Sequence, residues 1–216
     1  MKIIELNKSI TESNDEDARK LRERLTAEGV LLINIMSSPG SGKTTFLSKT
    51  IADLKDRVSI GVMEADIASE VDAVRIEAAG AKSIQMHTDG MCHVDAGMTE
   101  RALKEMGYEG LRLIFLENVG NLICPAEYDT GAHLKVMLLS VPEGDDKPLK
   151  YPLMFSESDA LIITKADTAD FFSFDEEKCV SAVKRLNPDI KIFKVSAKTG
   201  EGRSSWEEWL SLQLPK

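Results

Sequence analysis

The sequence predicts an α/β fold with a doubly wound, mostly parallel sheet. Short runs of largely apolar residues, such as residues 30–36, alternate with helical segments along the chain, and glycines follow three of those helical segments. Apolar runs without a polar face are typical of strands that are buried on both sides, as in parallel sheets. Polar clusters follow directly after several runs, where ligands of such sheets bind. Alternation of this kind favours parallel neighbours that are joined by helical crossovers.

Seven strands and six helices are predicted in chain order. The strands are residues 30–36, 58–63, 82–86, 111–116, 135–141, 160–164 and 191–195. The helices, bounded by turn and glycine signals, are residues 15–27, 43–54, 70–79, 94–106, 175–186 and 206–212. Because the first helix precedes the sheet, we predict an N-terminal helical arm, residues 1–29, and one α/β domain, residues 30–216.

Composition argues against several classes of protein. The chain has 216 residues and a net charge of −9, so a nucleic-acid backbone is not expected to be its main partner. There is no run of about 18 apolar residues, and residues 1–10 lack the basic start and apolar stretch of a signal peptide. Three cysteines are too few for a disulfide framework. We therefore expect a cytoplasmic protein that binds neither membranes nor nucleic acids.

A glycine-rich turn follows the first predicted strand and opens the second predicted helix. Residues 37–44 fit a phosphate-binding P-loop, although Ser37 stands where glycine usually begins the pattern. Glycines let backbone N–H groups turn toward phosphates, and the helix N-terminus adds partial positive charge. Lys43 would contact the β- and γ-phosphates, and the Thr44 hydroxyl would bind Mg²⁺. The predicted phosphate-binding residues are Pro39, Gly40, Ser41, Gly42, Lys43, Thr44 and Thr45.

Acidic residues after two strands are predicted to complete a catalytic magnesium site. Glu117 precedes Gly120, so the carboxylate would hold Mg²⁺ and the glycine N–H would approach the γ-phosphate. Asp66 and Asp72, after the second strand, are candidates for ordering Mg²⁺ or the attacking water. Asn121 occupies the position of a water-positioning glutamine in many GTPases, and its shorter side chain predicts slow unassisted hydrolysis. The predicted catalytic residues are Lys43, Asp66, Glu117 and Gly120.

Two polar turns after the last two predicted strands indicate recognition of guanine. Lys165 and Asp167 match an Asn-Lys-x-Asp pattern, in which the aspartate accepts hydrogen bonds from the N1 and N2 edge of guanine. Adenine lacks this donor pair, so GTP is favoured over ATP. Thr164 replaces the asparagine, which predicts that one bracing amide contact is missing. The predicted base-binding residues are Thr164, Lys165, Asp167, Ser196, Ala197 and Lys198.

Cysteine and histidine side chains form a candidate metal site. Cys92 and His93 lie in one loop, and Cys124 lies in the loop after the fourth predicted strand. Two thiols and an imidazole suit Ni²⁺ or Zn²⁺, and the spacing leaves open both metals and a purely structural role. Three ligands do not close a structural site, but a two-fold dimer axis would present them twice. Core or structural roles are assigned to Cys179, His87 and His133.

These motifs together resemble the family of nickel-incorporation GTPases that serve hydrogenase and urease, most closely its hydrogenase branch, HypB. The resemblance covers residues 32–210 and is most specific at residues 92–96, 117–126 and 143–148. It implies that Ser37 is a feature of the family and that the α/β domain is a P-loop GTPase domain.

The resemblance also implies ligands and partners. Such proteins bind and hydrolyse GTP with Mg²⁺, dimerise on GTP binding, and help to deliver nickel to a nickel-enzyme precursor or a co-chaperone. The family's shared metal site maps onto Cys92, His93 and Cys124.

We predict that one short segment couples the nucleotide and metal sites. Glu117 and Gly120 would sense Mg²⁺ and the γ-phosphate, and Cys124 lies on the same loop, so hydrolysis would change the affinity for metal. Two alternatives stay open from the sequence. One is a metal carrier whose nucleotide only stabilises the fold, and the other is a P-loop kinase or NTPase that uses ATP.

Overall fold

A computed structural model describes residues 6–65 and 70–215, without the side chains of residues 6–11 and 70–73. Its strands are β1 (Leu31–Ser37), β2 (Ile60–Glu64), β3 (Lys82–Gln85), β4 (Leu113–Glu117), β5 (Leu134–Ser140), β6 (Ala160–Thr164) and β7 (Lys191–Val195). They form one seven-stranded sheet in the order β3-β2-β4-β1-β5-β6-β7. Every neighbouring pair is parallel. The predicted strands are confirmed, and the sheet is parallel throughout instead of mostly parallel.

Helices precede the sheet and connect its strands. They are α1 (Leu6–Ala27), α2 (Lys43–Leu54), α3 (Glu70–Ala79), α4 (Ala96–Met106), α5 (Cys124–Glu127), α6 (Lys147–Lys150), α7 (Pro152–Ser156), α8 (Glu176–Leu186) and α9 (Arg203–Gln213). Short 3-10 turns follow β5 at Val141–Glu143 and β6 at Ala166–Thr168. Among residues 6–65 and 70–215, none of the helices combines the length and apolarity needed to cross a membrane.

The helix predictions differ from the structure in some helix bounds and in three short helices. Helix α9 begins at Arg203 instead of Trp206, and α4 begins at Ala96 instead of residue 94. Helix α1 begins at Leu6, earlier than the predicted start at Asp15. Helices α5, α6 and α7 were not predicted, because their four or five residues are too few to show a helical period. Each has a proline in its first turn, where the missing N–H leaves no helical bond unmade.

Helices cover both faces of the sheet, so the doubly wound prediction is confirmed. One face packs against α2 and α9, with Leu47, Ile51 and Trp206 in its core. The other face packs partly against α1 and α4, through Leu25 and Leu103, and partly against α7 and α8. Strand β1 is central and buried along its whole length.

The topology places a crevice at the carboxyl end of β1. The chain leaves β1 for β2 on one side, and β4 and β5 flank β1 on opposite sides. In open α/β sheets, ligands bind where the strand order changes direction in this way. The turns after β1, β4, β6 and β7 all open at this edge and carry most of the predicted nucleotide residues.

Helix α9 is fastened to α2 by buried and charged contacts. Trp206 Nε1 donates to Thr50 Oγ1 at 3.1 Å, and Arg203 pairs with Asp53 at 3.1 Å. The Glu207 carboxyl also lies against Asp53. Burial, with the hydrogen bond and charge of Asp53, raises the pKa of Glu207 to about 7.

Replacing Glu207 with glutamine is expected to stabilise the protein above pH 7 but not near pH 4.5. A raised folded-state pKa means that the native state holds the proton more tightly, so stability falls as pH rises from the unfolded-state pKa to the folded one. The neutral amide removes this loss, which we place at about 1 to 2 kcal/mol after solvent screening. Urea unfolding at pH 5 and pH 8 measures it.

The matched control is Glu208→Gln, which changes an exposed neighbour on the same helix. Its effect on the unfolding free energy should be small at both pH values. A Glu207→Gln effect of equal size at pH 5 and pH 8 would contradict the raised pKa of Glu207.

Candidate functional site

The phosphate loop turns between β1 and α2 through two glycines in left-handed conformations. Gly40 has φ 74° and Gly42 has φ 93°, values that side chains disfavour. Gly42 is the N-cap of α2 and provides no side chain to cap it, so the first N–H groups of the helix stay available for an anion. Ser41 Oγ donates to Ser37 Oγ at 2.6 Å, so Ser37 braces the base of the loop.

Oxygen ligands for a hard cation meet at the mouth of this loop. Glu117, the last residue of β4, is 3% exposed, and its Oε1 accepts a hydrogen bond from Thr44 Oγ1 at 3.2 Å. Lys43 is 4% exposed at the same helix start. A hydroxyl and a carboxylate on neighbouring elements suit Mg²⁺, which prefers a few protein oxygens and keeps several waters. The structure thus brings together the predicted residues of the phosphate loop and β4.

The segment after β4 touches the phosphate loop directly. A Cβ atom on Gly120 would lie 3.0 Å from Pro39 Cγ and 3.1 Å from the Pro39 nitrogen. Only glycine allows this approach without a shift of the loop. Asn118, which the sequence analysis missed, is buried and donates from Nδ2 to Asn34 Oδ1 of β1 at 3.1 Å. Its place next to Glu117 at a buried strand end was the available signal.

The turn that is predicted to recognise the base also contacts the phosphate loop. Thr164 Oγ1 donates to the Ser41 carbonyl at 2.7 Å, and Lys165 Nζ donates to the Gly40 carbonyl at 2.9 Å. The expectation that Thr164 leaves a bracing contact missing is therefore wrong, since the shorter hydroxyl makes a direct bond. Lys165 itself has φ 57°, a left-handed conformation that the turn requires.

A cleft of about 310 Å³ opens between α2 and the turns after β6 and β7. Its lining combines apolar side chains with one carboxylate, and includes Phe46, Thr164, Lys165, Asp167, Ala197 and Lys198. Asp167 Oδ1 accepts from Ser196 Oγ at 2.7 Å, which orients the carboxylate. A flat ring with two adjacent donors would fit this arrangement.

The segment at residues 143–148 stabilises the turn after β5. Glu143 Oε2 accepts hydrogen bonds from Ser140 N and Oγ, each at 2.8 Å, and so caps the 3-10 turn. Asp145 accepts from Lys178 Nζ at 2.6 Å and from the Asp175 N–H at 3.1 Å. This segment therefore joins the turn after β5 to the start of α8.

Cys92 lies next to each of the other two predicted metal ligands. Cys92 Sγ is 3.8 Å from His93 Nδ1. The pKa of Cys124 is raised, mainly by a hydrogen bond with the Cys92 thiol and secondly by burial. His93 is 7% exposed, and burial lowers its pKa, so its imidazole is neutral at neutral pH. The His93 ring stacks on Tyr128, with ring centres 3.6 Å apart and planes at 13°.

These ligands do not form a closed site within one chain. In the part of the chain that the structure describes, no three histidine, cysteine or acidic side chains are arranged to hold one metal ion. A thiol with a raised pKa must release its proton when metal binds. The assignment of Cys92, His93 and Cys124 as ligands stays a prediction.

The Asn121 amide contacts Cys124, one of the predicted metal ligands. Its Nδ2 lies 3.5 Å from Cys124 Sγ, and its Oδ1 accepts from the Ile123 N–H at 2.8 Å. One short segment thus contacts Pro39 through Gly120 and the Cys124 sulfur through Asn121.

Residues 31–194 match a family model described as the CobW/HypB/UreG nucleotide-binding domain. This chain belongs to the CobW/HypB/UreG family. Hydrogenase maturation factor HypB of Rhizobium leguminosarum bv. viciae is 45% identical to it over 215 residues, covering 100% of this chain and 72% of that protein.

Two solved structures agree with the CobW/HypB/UreG assignment. HypB from Helicobacter pylori in complex with nickel has a TM-score of 0.86 at 41% identity, covering 93% of this chain and 94% of that one. Hydrogenase maturation factor HypB from Archaeoglobus fulgidus has a TM-score of 0.88 at 38% identity, covering 93% and 98%. The chain is therefore a P-loop NTPase domain with the HypB fold.

The remaining predicted residues of this CobW/HypB/UreG domain have separate outcomes. Asp66 lies outside the described residues, and Asp72 lies in α3 without a described side chain, so their magnesium roles stay predictions.

Cys179 is buried in the core, as predicted, and burial raises its pKa to about 12. His133 has the predicted structural role, because its Nδ1 accepts from the Leu32 N–H at 3.0 Å. His87 lines a cleft beside Cys92.

Proposed function

We propose that this protein is a GTP-hydrolysing nickel metallochaperone. It couples GTP binding, hydrolysis and dimerisation to the delivery of nickel into a hydrogenase or a similar nickel enzyme. The relatives named as hydrogenase maturation factors and the nickel complex of one of them support this proposal. The contact of one segment with both the phosphate loop and Cys124 is the observation that supports the proposed coupling.

The nucleotide chemistry follows from the arrangement of this chain's own groups. Lys43 and the first N–H groups of α2 would hold the β- and γ-phosphates. Thr44 and Glu117 would hold Mg²⁺, either directly or through water, and the ion would supply charge neutralisation at the phosphate oxygens. The Gly120 N–H would contact the γ-phosphate and so would sense its loss on hydrolysis. Gly120 also lies directly against Pro39 of the phosphate loop.

Guanine recognition is assigned to the cleft beside α2. Ser196 orients Asp167, whose carboxylate would accept from the N1 and N2 donors of guanine. The Lys165 stem would cover one face of the ring while its ammonium group stays on the Gly40 carbonyl. ATP offers no such donor pair, so a kinase or NTPase that uses ATP is the less favoured candidate.

The metal assignment requires a second copy of the chain. The two thiols and the imidazole suit Ni²⁺ or Zn²⁺, but among the described residues of one chain they do not close a site. A GTP-bound dimer with its axis near Cys124 would present each ligand twice. The nickel cargo would then pass to a nickel-enzyme precursor or a co-chaperone.

Nickel affinity is expected to differ by about 5- to 150-fold between the GTP-analogue and GDP forms, the usual range for coupled sites. The physical reason is that loss of the γ-phosphate would release Gly120, and Asn121 would carry the shift to Cys124. Replacing Asn121 with alanine should bring the ratio close to one. Calorimetric titration of Ni²⁺ into both nucleotide forms measures the ratio directly.

The companion variant for this titration is Cys124→Ser, which exchanges a thiol for a poorer nickel ligand. It should weaken nickel binding by about 100-fold or more in both nucleotide forms. Equal nickel affinities of the two nucleotide forms in the unmodified protein would end the coupling proposal.

A further inference from the structure

Two segments carry the predicted nickel ligands, and the amide of Asn14 on α1 joins them. Its Oδ1 accepts from the Ala96 N–H at 3.0 Å, just after the segment with Cys92 and His93. Its Nδ2 donates to the Asp129 carbonyl at 2.9 Å, just after the helix that begins at Cys124. Both ends of one amide are thus used, one on each segment.

Other residues of α1 hold the second segment from further along the helix. Arg22 Nη2 donates to both carboxylate oxygens of Asp129, each at 2.7 Å, and its Nε donates to the Ala132 carbonyl at 2.8 Å. Gly131 fits closely over Leu21, because a Cβ there would lie 2.7 Å from Leu21 Cδ2. Residue 129 is therefore fixed to α1 at two places more than two helical turns apart.

Helix α1 is itself a firm support. Ala18, Leu21 and Leu25 are buried, and the two leucines share a core with Met98 and Leu103 of α4. Because α1 is anchored in the core, a residue that is hydrogen-bonded to it is held in a fixed position. The side chains of residues 14 and 22 project from this anchored part of the chain.

A capping role alone does not account for Asn14. Asp95 already caps α4, with its Oδ1 accepting from the Met98 N–H at 2.7 Å. The bond from Ala96 to Asn14 adds a second, longer-range contact across 82 positions of sequence. Tyr128, next to Asp129, stacks on His93. Holding residue 129 therefore also holds the ring against which the predicted imidazole ligand packs.

We propose that Asn14 is a positioning residue for the nickel site, which sets the separation of the Cys92–His93 segment from the Cys124 segment. Arg22 supports it by fixing Asp129. This inference rests on the proposed function for the identity of the bound metal, which is nickel. The separation of the two thiols does not depend on that function and can be measured without metal. A displacement of α1 would then alter nickel affinity without touching a ligand.

The test compares Asn14→Ala and Asn14→Asp with the exposed neighbour Ser13→Ala, all in the full chain. Aspartate keeps the acceptor for Ala96 but loses the donor to Asp129. Both Asn14 variants should bind Ni²⁺ about 10- to 100-fold more weakly, as is usual for lost supporting contacts. Their nickel–thiolate absorption bands should shift, whereas their GTP turnover should match that of Ser13→Ala.

A metal-free measurement separates this inference from the proposed function. Phenylarsine oxide bridges two neighbouring thiols and releases one water as two As–S bonds form. Capture by the Cys92 and Cys124 pair should be about 10-fold slower or more in both Asn14 variants, the lower end of the effect on nickel. Cys92→Ser identifies the pair, because it should abolish the bridging.

The outcomes are distinct. Unchanged arsenical capture and unchanged nickel spectra in Asn14→Ala would overturn the positioning role. Slower capture in the Asn14 variants, together with equal nickel affinities of the unmodified protein and Cys124→Ser, would support the positioning role and contradict the proposed nickel function.

Discussion

Replacing Lys43 with alanine is expected to lower the rate of GTP hydrolysis by about 10²- to 10³-fold, as loss of one preorganised charged donor usually does. Lys43 is almost fully buried at the start of α2, beside the pair formed by Thr44 and Glu117. Its ammonium group would stabilise the charge that develops on the β- and γ-phosphate oxygens. A phosphate-release assay at saturating GTP measures the loss.

The control is Lys49→Ala, which removes an exposed lysine from the same helix. It should leave turnover within about twofold, since exposed charges of this kind have small effects. The same pair of variants tests the carrier alternative. If Lys43→Ala still delivered nickel to the client enzyme at the normal rate, the nucleotide would have only a structural role.

Replacing Asp167 with asparagine is expected to weaken GTP binding by about 10²-fold or more and to favour xanthosine triphosphate. Each lost hydrogen bond to the charged carboxylate contributes about 1.5 to 3 kcal/mol, and about 1.4 kcal/mol is a factor of ten. The new amide can donate to the C2 carbonyl of xanthine and accept from its N1–H. Competition binding with GTP, ATP and xanthosine triphosphate measures the change in preference.

The matched control is Asp170→Asn, an exposed carboxylate three residues further along. Asparagine at position 167 keeps the oxygen that accepts from Ser196, so the turn should stay folded. An unmodified protein that binds ATP as tightly as GTP, with no change in Asp167→Asn, would favour the ATP alternative.

The order of strands and helices could be predicted because it depends on local patterns. Buried parallel strands favour mostly apolar runs, and the chain shows them at residues 30–36, 111–116 and 160–164. The phosphate loop and the turn that is predicted to bind guanine were located in the same way, since glycine at left-handed positions and a carboxylate after a strand are local requirements. Helices such as α5 were missed, because a single proline-initiated turn has no period to detect.

The support of the site could not be predicted, because it depends on contacts between residues far apart in the sequence. The 2.7 Å bond from Thr164 to Ser41 reversed an expectation that was based on residue type alone. Nothing near Asn14 in the sequence suggests that its amide reaches residues 96 and 129.

By itself, the sequence determined the α/β class, the phosphate and base turns, and the family resemblance, because each rests on the chemistry of neighbouring residues. Only the tertiary structure decided how the two thiol segments are held together and how Gly120 fits against Pro39. The physical reason is that hydrogen bonds and close packing act over about 3 to 4 Å in space, whatever the distance along the chain.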